Sequence, residues 1–164
     1  MGEKVKLGIV GPGIIWHKVH KEILKKLSKH YQIAAFSSRS EKSREKAASE
    51  FPCAKTYDDY KKLIKSDTVD AVVVLTPIML NAPVAIYALK SGKDVYVEKP
   101  MAVSLRDADK ILELEKSTGL NIYVLEQIVY SKAWNKLKKI IRSGEIGEIV
   151  MYDKLSHGLL AHGA

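Results

Sequence analysis

A proline between two glycines, Gly11-Pro12-Gly13, closes the first apolar run of the chain and opens a lysine-rich segment of helical spacing. In that context these residues can bind a phosphate. Gly11 permits a tight turn, and Gly13 lets the backbone approach a pyrophosphate. The amides near Ile14 and Ile15 would then point at the anion with the positive end of a helix dipole. The third position of a Gly-x-Gly-x-x-Gly fingerprint holds Trp16, where glycine or alanine usually lets helix and strand pack closely; an indole there needs space or must turn outward. An ordinary turn is the alternative for the same residues.

Three further strand ends carry polar chemistry. Ser37-Ser38-Arg39-Ser40, with Lys42 close behind, stands where binders of NAD usually place an acid for the ribose hydroxyls. Hydroxyls beside a guanidinium suit a 2′-phosphate through charge-assisted bonds, which favours NADP, with NAD the alternative. Read without a ligand, Ser40 is a helix N-cap beside a solvated arginine. Leu75-Thr76-Pro77 closes the central apolar run, and Val97-Glu98-Lys99-Pro100 closes the next. Both put polar side chains where a nicotinamide would lie if a pyrophosphate sits at Gly13. Glu98 and Lys99 could equally be a strand-end ion pair before a turn.

The elements that must position these residues follow from periodicity. Apolar runs predict buried strands over residues 5–10, 33–36, 71–75, 94–98 and 121–125. Spacings of three and four predict helices over 14–27, 40–51, 80–89 and 131–142. Thr56 with Asp59, and Ser104 with Asp107, read as capping boxes opening two more helices, one through residue 64 and one ending near Gly119. A last strand is expected over 147–152, and the tail from His157 has no readable period. Strands alternating with helices mean right-handed crossovers. The expected fold is therefore α/β, a Rossmann-type doubly wound parallel sheet with a short C-terminal helix–strand appendage. Ligands bind such sheets at the carboxyl ends of the strands.

Composition removes other classes. With 46% apolar and 28% charged residues the chain has the apolar surface that disordered chains lack. No apolar run approaches the roughly 20 residues a bilayer span needs, and the first residues show no secretory signal, so a cytoplasmic, non-membrane protein is expected. One cysteine, Cys53, excludes an internal disulfide. The net charge is +8, but arginine supplies only Arg39, Arg44, Arg106 and Arg142, and the lysines are interleaved with glutamates. That describes a solvated surface more than a nucleic-acid interface. His17 and His20 share a helix face but are too few for a metal, and none is expected.

The ordered set of motifs resembles the Gfo/Idh/MocA oxidoreductases (glucose-fructose oxidoreductase, inositol dehydrogenase and relatives). The matching stretches are Gly11-Pro12-Gly13 with His20, Ser38-Arg39, Asp70-Ala71-Val72 running to Thr76-Pro77, Gly92-Lys93, Glu98-Lys99-Pro100, and Ser143-Gly144-Glu145-Ile146-Gly147-Glu148-Ile149. The resemblance implies NAD(P)-dependent oxidation or reduction at a carbinol carbon of a sugar, cyclitol or related small molecule. It places the family's nicotinamide-side lysine at Lys99, with Glu98 orienting it and Pro100 fixing the turn. Thr76, Pro77 and Asn81 would line the coenzyme site. By the resemblance, residues 1–125 form the nucleotide-binding domain. Residues 126–164 begin a substrate and oligomerisation domain that the family normally continues further, and a face left uncovered would favour a homo-oligomer.

Three positions depart from the family pattern: Trp16, Asn81 where a histidine is common, and Gln127-Ile128-Val129 where Asn-x-Arg is common. His157 and His162 match no motif of the missing part. A non-catalytic NADP(H)-binding module is the alternative function.

Overall fold

The computed structural model describes residues 3–151 and Asp153. Six strands form one parallel sheet: β1 (Val5–Val10), β2 (Tyr31–Ser37), β3 (Lys55–Tyr57), β4 (Ala71–Val74), β5 (Asp94–Glu98) and β6 (Ile122–Leu125). Their order is β3-β2-β1-β4-β5-β6. The chain therefore winds outward one way from β1, then returns to start β4 on its other side. This reversal between β1 and β4 opens a crevice at the carboxyl ends of the strands.

The helices are α1 (Lys21–Lys26), α2 (Glu41–Glu50), α3 (Tyr60–Ile64), α4 (Ile78–Lys90), α5 (Leu105–Thr118) and α6 (Lys132–Ser143). α1 continues from a π-helical turn, Trp16–His20, closed by the Lys21 N–H donating to the Trp16 carbonyl. The period-2 geometry of β4 sorts its valines between two cores. Val72 and Val74 pack with Leu63, Val84, Leu89 and Ile111 under α3, α4 and α5. Val73 and Leu75 pack with Leu7, Ile9, Trp16 and Phe36 under the π turn, α1 and α2. Each fully buried valine or leucine contributes about 1.5–3 kcal/mol of apolar burial. Two covered faces explain why β4 reads as an unbroken apolar run.

Several expectations need correction. Thr56 is not a cap: it lies in β3, a strand too short and polar to show in the periodicity, and pairs with Phe36 of β2. Asp59 is itself the N-cap, accepting the Lys61 N–H at 2.9 Å. The Ser104 cap holds, with its hydroxyl accepting the Asp107 N–H at 3.1 Å. Residues 147–151 are not a strand, because none of the described residues offers them a ladder partner. Residue 152 and the two tail histidines, His157 and His162, lie outside the described residues. The chain divides into two compact units, Met1–Glu126 and Gln127–Ala164, the second carrying a 3-10 turn (Gln127–Tyr130) and α6.

Candidate functional site

The turn after β1 is shaped by two glycines with different jobs. Gly11 has φ +81°, and its N–H donates to the Ser37 carbonyl at 2.9 Å. A Cβ there would meet the Leu75 carbonyl oxygen at 2.8 Å, so β1 can turn against the end of β4 only with glycine in place. Gly13 has no such constraint. Its φ is not positive, and a Cβ would meet nothing nearer than the Gly11 carbonyl at 3.9 Å. Neither the fold's sterics nor its backbone geometry requires glycine there. Its bare Cα leaves the surface open toward the first helical amides, those of Ile14 and Ile15, which have no partner four residues back. Both isoleucine side chains point outward, Ile14 74% exposed.

Trp16 does not turn outward. Its indole is fully buried, edge-on to Phe36 at a centroid distance of 5.4 Å and against Phe51 at 5.9 Å. The core takes up the indole, and the loop above it stays clear. The departure from the fingerprint is thus absorbed beneath the phosphate corner.

At the end of β2, Ser37 is buried while Arg39 is exposed. The Ser38 hydroxyl accepts the Ser40 N–H at 3.2 Å, and Ser40 caps α2. Arg44, which the sequence reading passed over, donates to the carbonyls of Ser38 and Arg39 at 2.8 and 3.1 Å. It straps this loop down, and its place in the first turns of α2 was the available signal. Among the described residues the Arg39 guanidinium makes no hydrogen bond or ion pair. A cleft of about 560 Å³ opens here, lined by Gly11, Ser37, Ser38, Arg39, Thr76 and Pro77, with Asp58 and Asp59 on its far wall. The two carboxylates are engaged. Asp58 pairs with Lys62 at 2.9 Å, which holds its carboxyl below the usual range, and Asp59 caps α3. Gly13 and Ile14 lie outside this cleft, in a neighbouring hollow with His17, Lys18, Lys42 and Lys46. Burial, then the Lys46 charge, pushes His17 below its ordinary value.

The ends of β4 and β5 are tied to each other. The Thr76 hydroxyl donates to Asn81 Oδ1 at 2.9 Å, while Asn81 Nδ2 donates to the carbonyls of Glu98 and Pro100, both at 3.0 Å. Asn81 is buried with its amide fully used inside the protein, so it shapes the site without facing it. Glu98 is 7% exposed; one carboxylate oxygen lies 2.9 Å from His20 Nε2 and the other accepts the Lys99 N–H at 3.1 Å. The carboxylate therefore meets the main chain of Lys99, not its ammonium. The Lys99 side chain is exposed. It does not line the cleft at β2; it stands at the end of β5, on the other side of the switch point. No group of three or more potential metal ligands occurs among the described residues, nor is any helix there long and apolar enough to cross a membrane.

Comparison with known proteins agrees with this layout. Residues 5–126 match a family model described as an oxidoreductase family with an NAD-binding Rossmann fold. Inositol 2-dehydrogenase of Salmonella typhimurium is 33% identical over 151 residues, which cover 90% of this chain and 44% of the enzyme. An oxidoreductase crystal structure from Thermotoga maritima superposes with TM-score 0.83 at 34% identity, over 89% of this chain and 45% of that one. The fold is shared with scyllo-inositol dehydrogenase from Lactobacillus casei, solved with NAD(H) and scyllo-inositol, at TM-score 0.80 and 21% identity, over 89% of this chain and 43% of that one. The chain thus spans less than half the length of the relatives it matches. On the family model and the ordered motifs together, the chain belongs to the Gfo/Idh/MocA oxidoreductase family, of which residues 5–126 form the NAD-binding Rossmann fold.

Proposed function

We propose that this chain is the coenzyme-binding part of an NADP-dependent dehydrogenase or reductase that acts on a carbinol carbon of a sugar, a cyclitol or a related small molecule. The observation that carries the coenzyme choice is the end of β2: an exposed guanidinium with no partner among the described residues, three serines, and no carboxylate before α2. Asp58 and Asp59 face the same cleft but are held by Lys62 and by the cap of α3.

The residues present fit a dinucleotide. The first amides of the helical segment after Gly13, left open by the absent Cβ and by the inward indole, would hold the pyrophosphate. Ser37, Ser38 and Arg39 would hold the adenosine end, with the guanidinium on the 2′-phosphate. Thr76 and Pro77 would line the path between, and Asn81 would keep that path in shape by joining Thr76 to the turn at Glu98–Pro100. When bound, the coenzyme supplies or accepts the hydride. Lys99 would do the work that falls to the protein on this side: in reduction its ammonium gives a proton to the oxygen as the hydride arrives, and in oxidation its neutral amine takes the hydroxyl proton as the hydride leaves.

The inositol dehydrogenases among the relatives support a polyol substrate. Fluorescence titration with NADPH and NADH tests the coenzyme reading. Saturable binding with NADPH the tighter is expected, and no binding of either would defeat it.

A further inference from the structure

We propose that His20 is a positioning residue for Lys99, acting through the Glu98 carboxylate; the inference rests on Lys99 being the group that faces the reacting carbon. His20 and Glu98 are 78 positions apart in the chain, yet their side chains meet at 2.9 Å, only 12% and 9% exposed. A carboxylate is a rigid planar group, so fixing one oxygen fixes the aim of the other. His20 fixes Oε1; Oε2 then receives the Lys99 N–H. From the opposite side Asn81 holds the carbonyls of Glu98 and Pro100. The peptide group between Glu98 and Lys99 is thereby held at both its carbonyl and its N–H, with the Pro100 carbonyl tied to the same Asn81 amide beyond the lysine, and the direction in which the side chain leaves the turn is set.

Removing the imidazole strips this control. A buried carboxylate oxygen without a donor costs free energy, so Glu98 swings toward water and releases the Lys99 amide. The π-helical turn that carries His20 follows directly from the Gly13 corner, and π turns recur at functional sites. One segment therefore presents the phosphate-facing amides at its start and sets the lysine at its end.

Amide hydrogen exchange, read by NMR on the full chain without coenzyme, tests this. In His20→Ala the Lys99 amide should exchange about tenfold faster or more, while Val73 and Val97 in the sheet keep their protection. In His20→Gln, whose side chain still carries a donor, most of the Lys99 protection should return. Unchanged Lys99 exchange in His20→Ala overturns the proposal. So does a His20→Gln variant that loses Lys99 protection as fully as alanine. If His20→Ala does not fold, His20→Gln decides alone: kept protection supports the role and lost protection overturns it. An NADPH titration of the wild-type chain separates the two levels, because failure to bind sinks the coenzyme reading and leaves the exchange result standing.

Discussion

Two turns at the carboxyl edge of this sheet solve opposite problems. The turn after β1 is emptied: Gly11 removes a Cβ that would strike the Leu75 carbonyl, Gly13 removes one that would strike nothing, and Trp16 is drawn into the core. The turn after β5 is filled: Asn81 and Glu98, with His20 behind, bond the carbonyls of Glu98 and Pro100 and the amide of Lys99, and leave the lysine side chain outside. An open turn offers backbone amides to a ligand of fixed shape, whereas a clamped turn aims a single long side chain. On the proposed function, the difference lies in what each ligand needs. A diphosphate is caught by preorganised N–H groups, and a reacting oxygen needs one ammonium held to a direction.

The sharpest way to break this contrast is Gly13→Val. Because the backbone there is unstrained and a Cβ has room, the variant should fold with an unchanged melting temperature. It should nevertheless lose NADPH and NADH by about 100-fold or more, a cost of about 2.7 kcal/mol. Gly11→Ala sharpens it from the other side. Positive φ and the 2.8 Å contact should lower stability by about 1–3 kcal/mol, seen as a drop in denaturant midpoint, before any question of ligand arises. At the clamped turn, Asn81→Ala leaves the buried Glu98 carbonyl and the part-buried Pro100 carbonyl without their donor. It should destabilise by about 1–3 kcal/mol in chemical unfolding.

A smaller effect is expected at β2. Arg39→Ala should weaken NADPH about tenfold, or about 1.4 kcal/mol, with NADH nearly unchanged, measured by competition fluorescence. Equal loss for both would remove the 2′-phosphate from this account.

The smallest effect comes from His17, beneath the open turn. Its pKa in the folded protein lies below the ordinary value of 6.5, so below that pH the unfolded chain takes up a proton that the folded one resists. Stability should therefore decline as pH falls from about 6.5 through the lower folded value, and His17→Gln should flatten that decline in a series of thermal melts.

Much of this was legible beforehand because it is local. Apolar runs marked five of the six strands, and the glycine pair, the Ser38-Arg39 corner and the Glu98-Lys99-Pro100 turn stand where strand ends had to be. What escaped notice depends on contacts between distant residues. β3 has three residues and is recognisable only by its pairing with β2. The fate of the Trp16 indole depended on Phe36 and Phe51, and the partner of Glu98 turned out to lie on the first helical segment. Asn81, expected to face the coenzyme, spends its amide on a neighbouring turn, which no spacing rule encodes. The expected strand over 147–152 shows the limit from the other side, since β-branched residues make a strand only where a ladder is available.

Isothermal titration calorimetry of the wild-type chain with NADPH, set beside Gly13→Val, bears most directly on the open corner after β1. One saturable site per chain, abolished by the added valine while the melting temperature holds, is the predicted result. Absence of saturable heat in the wild type, or undiminished binding by Gly13→Val, would contradict it.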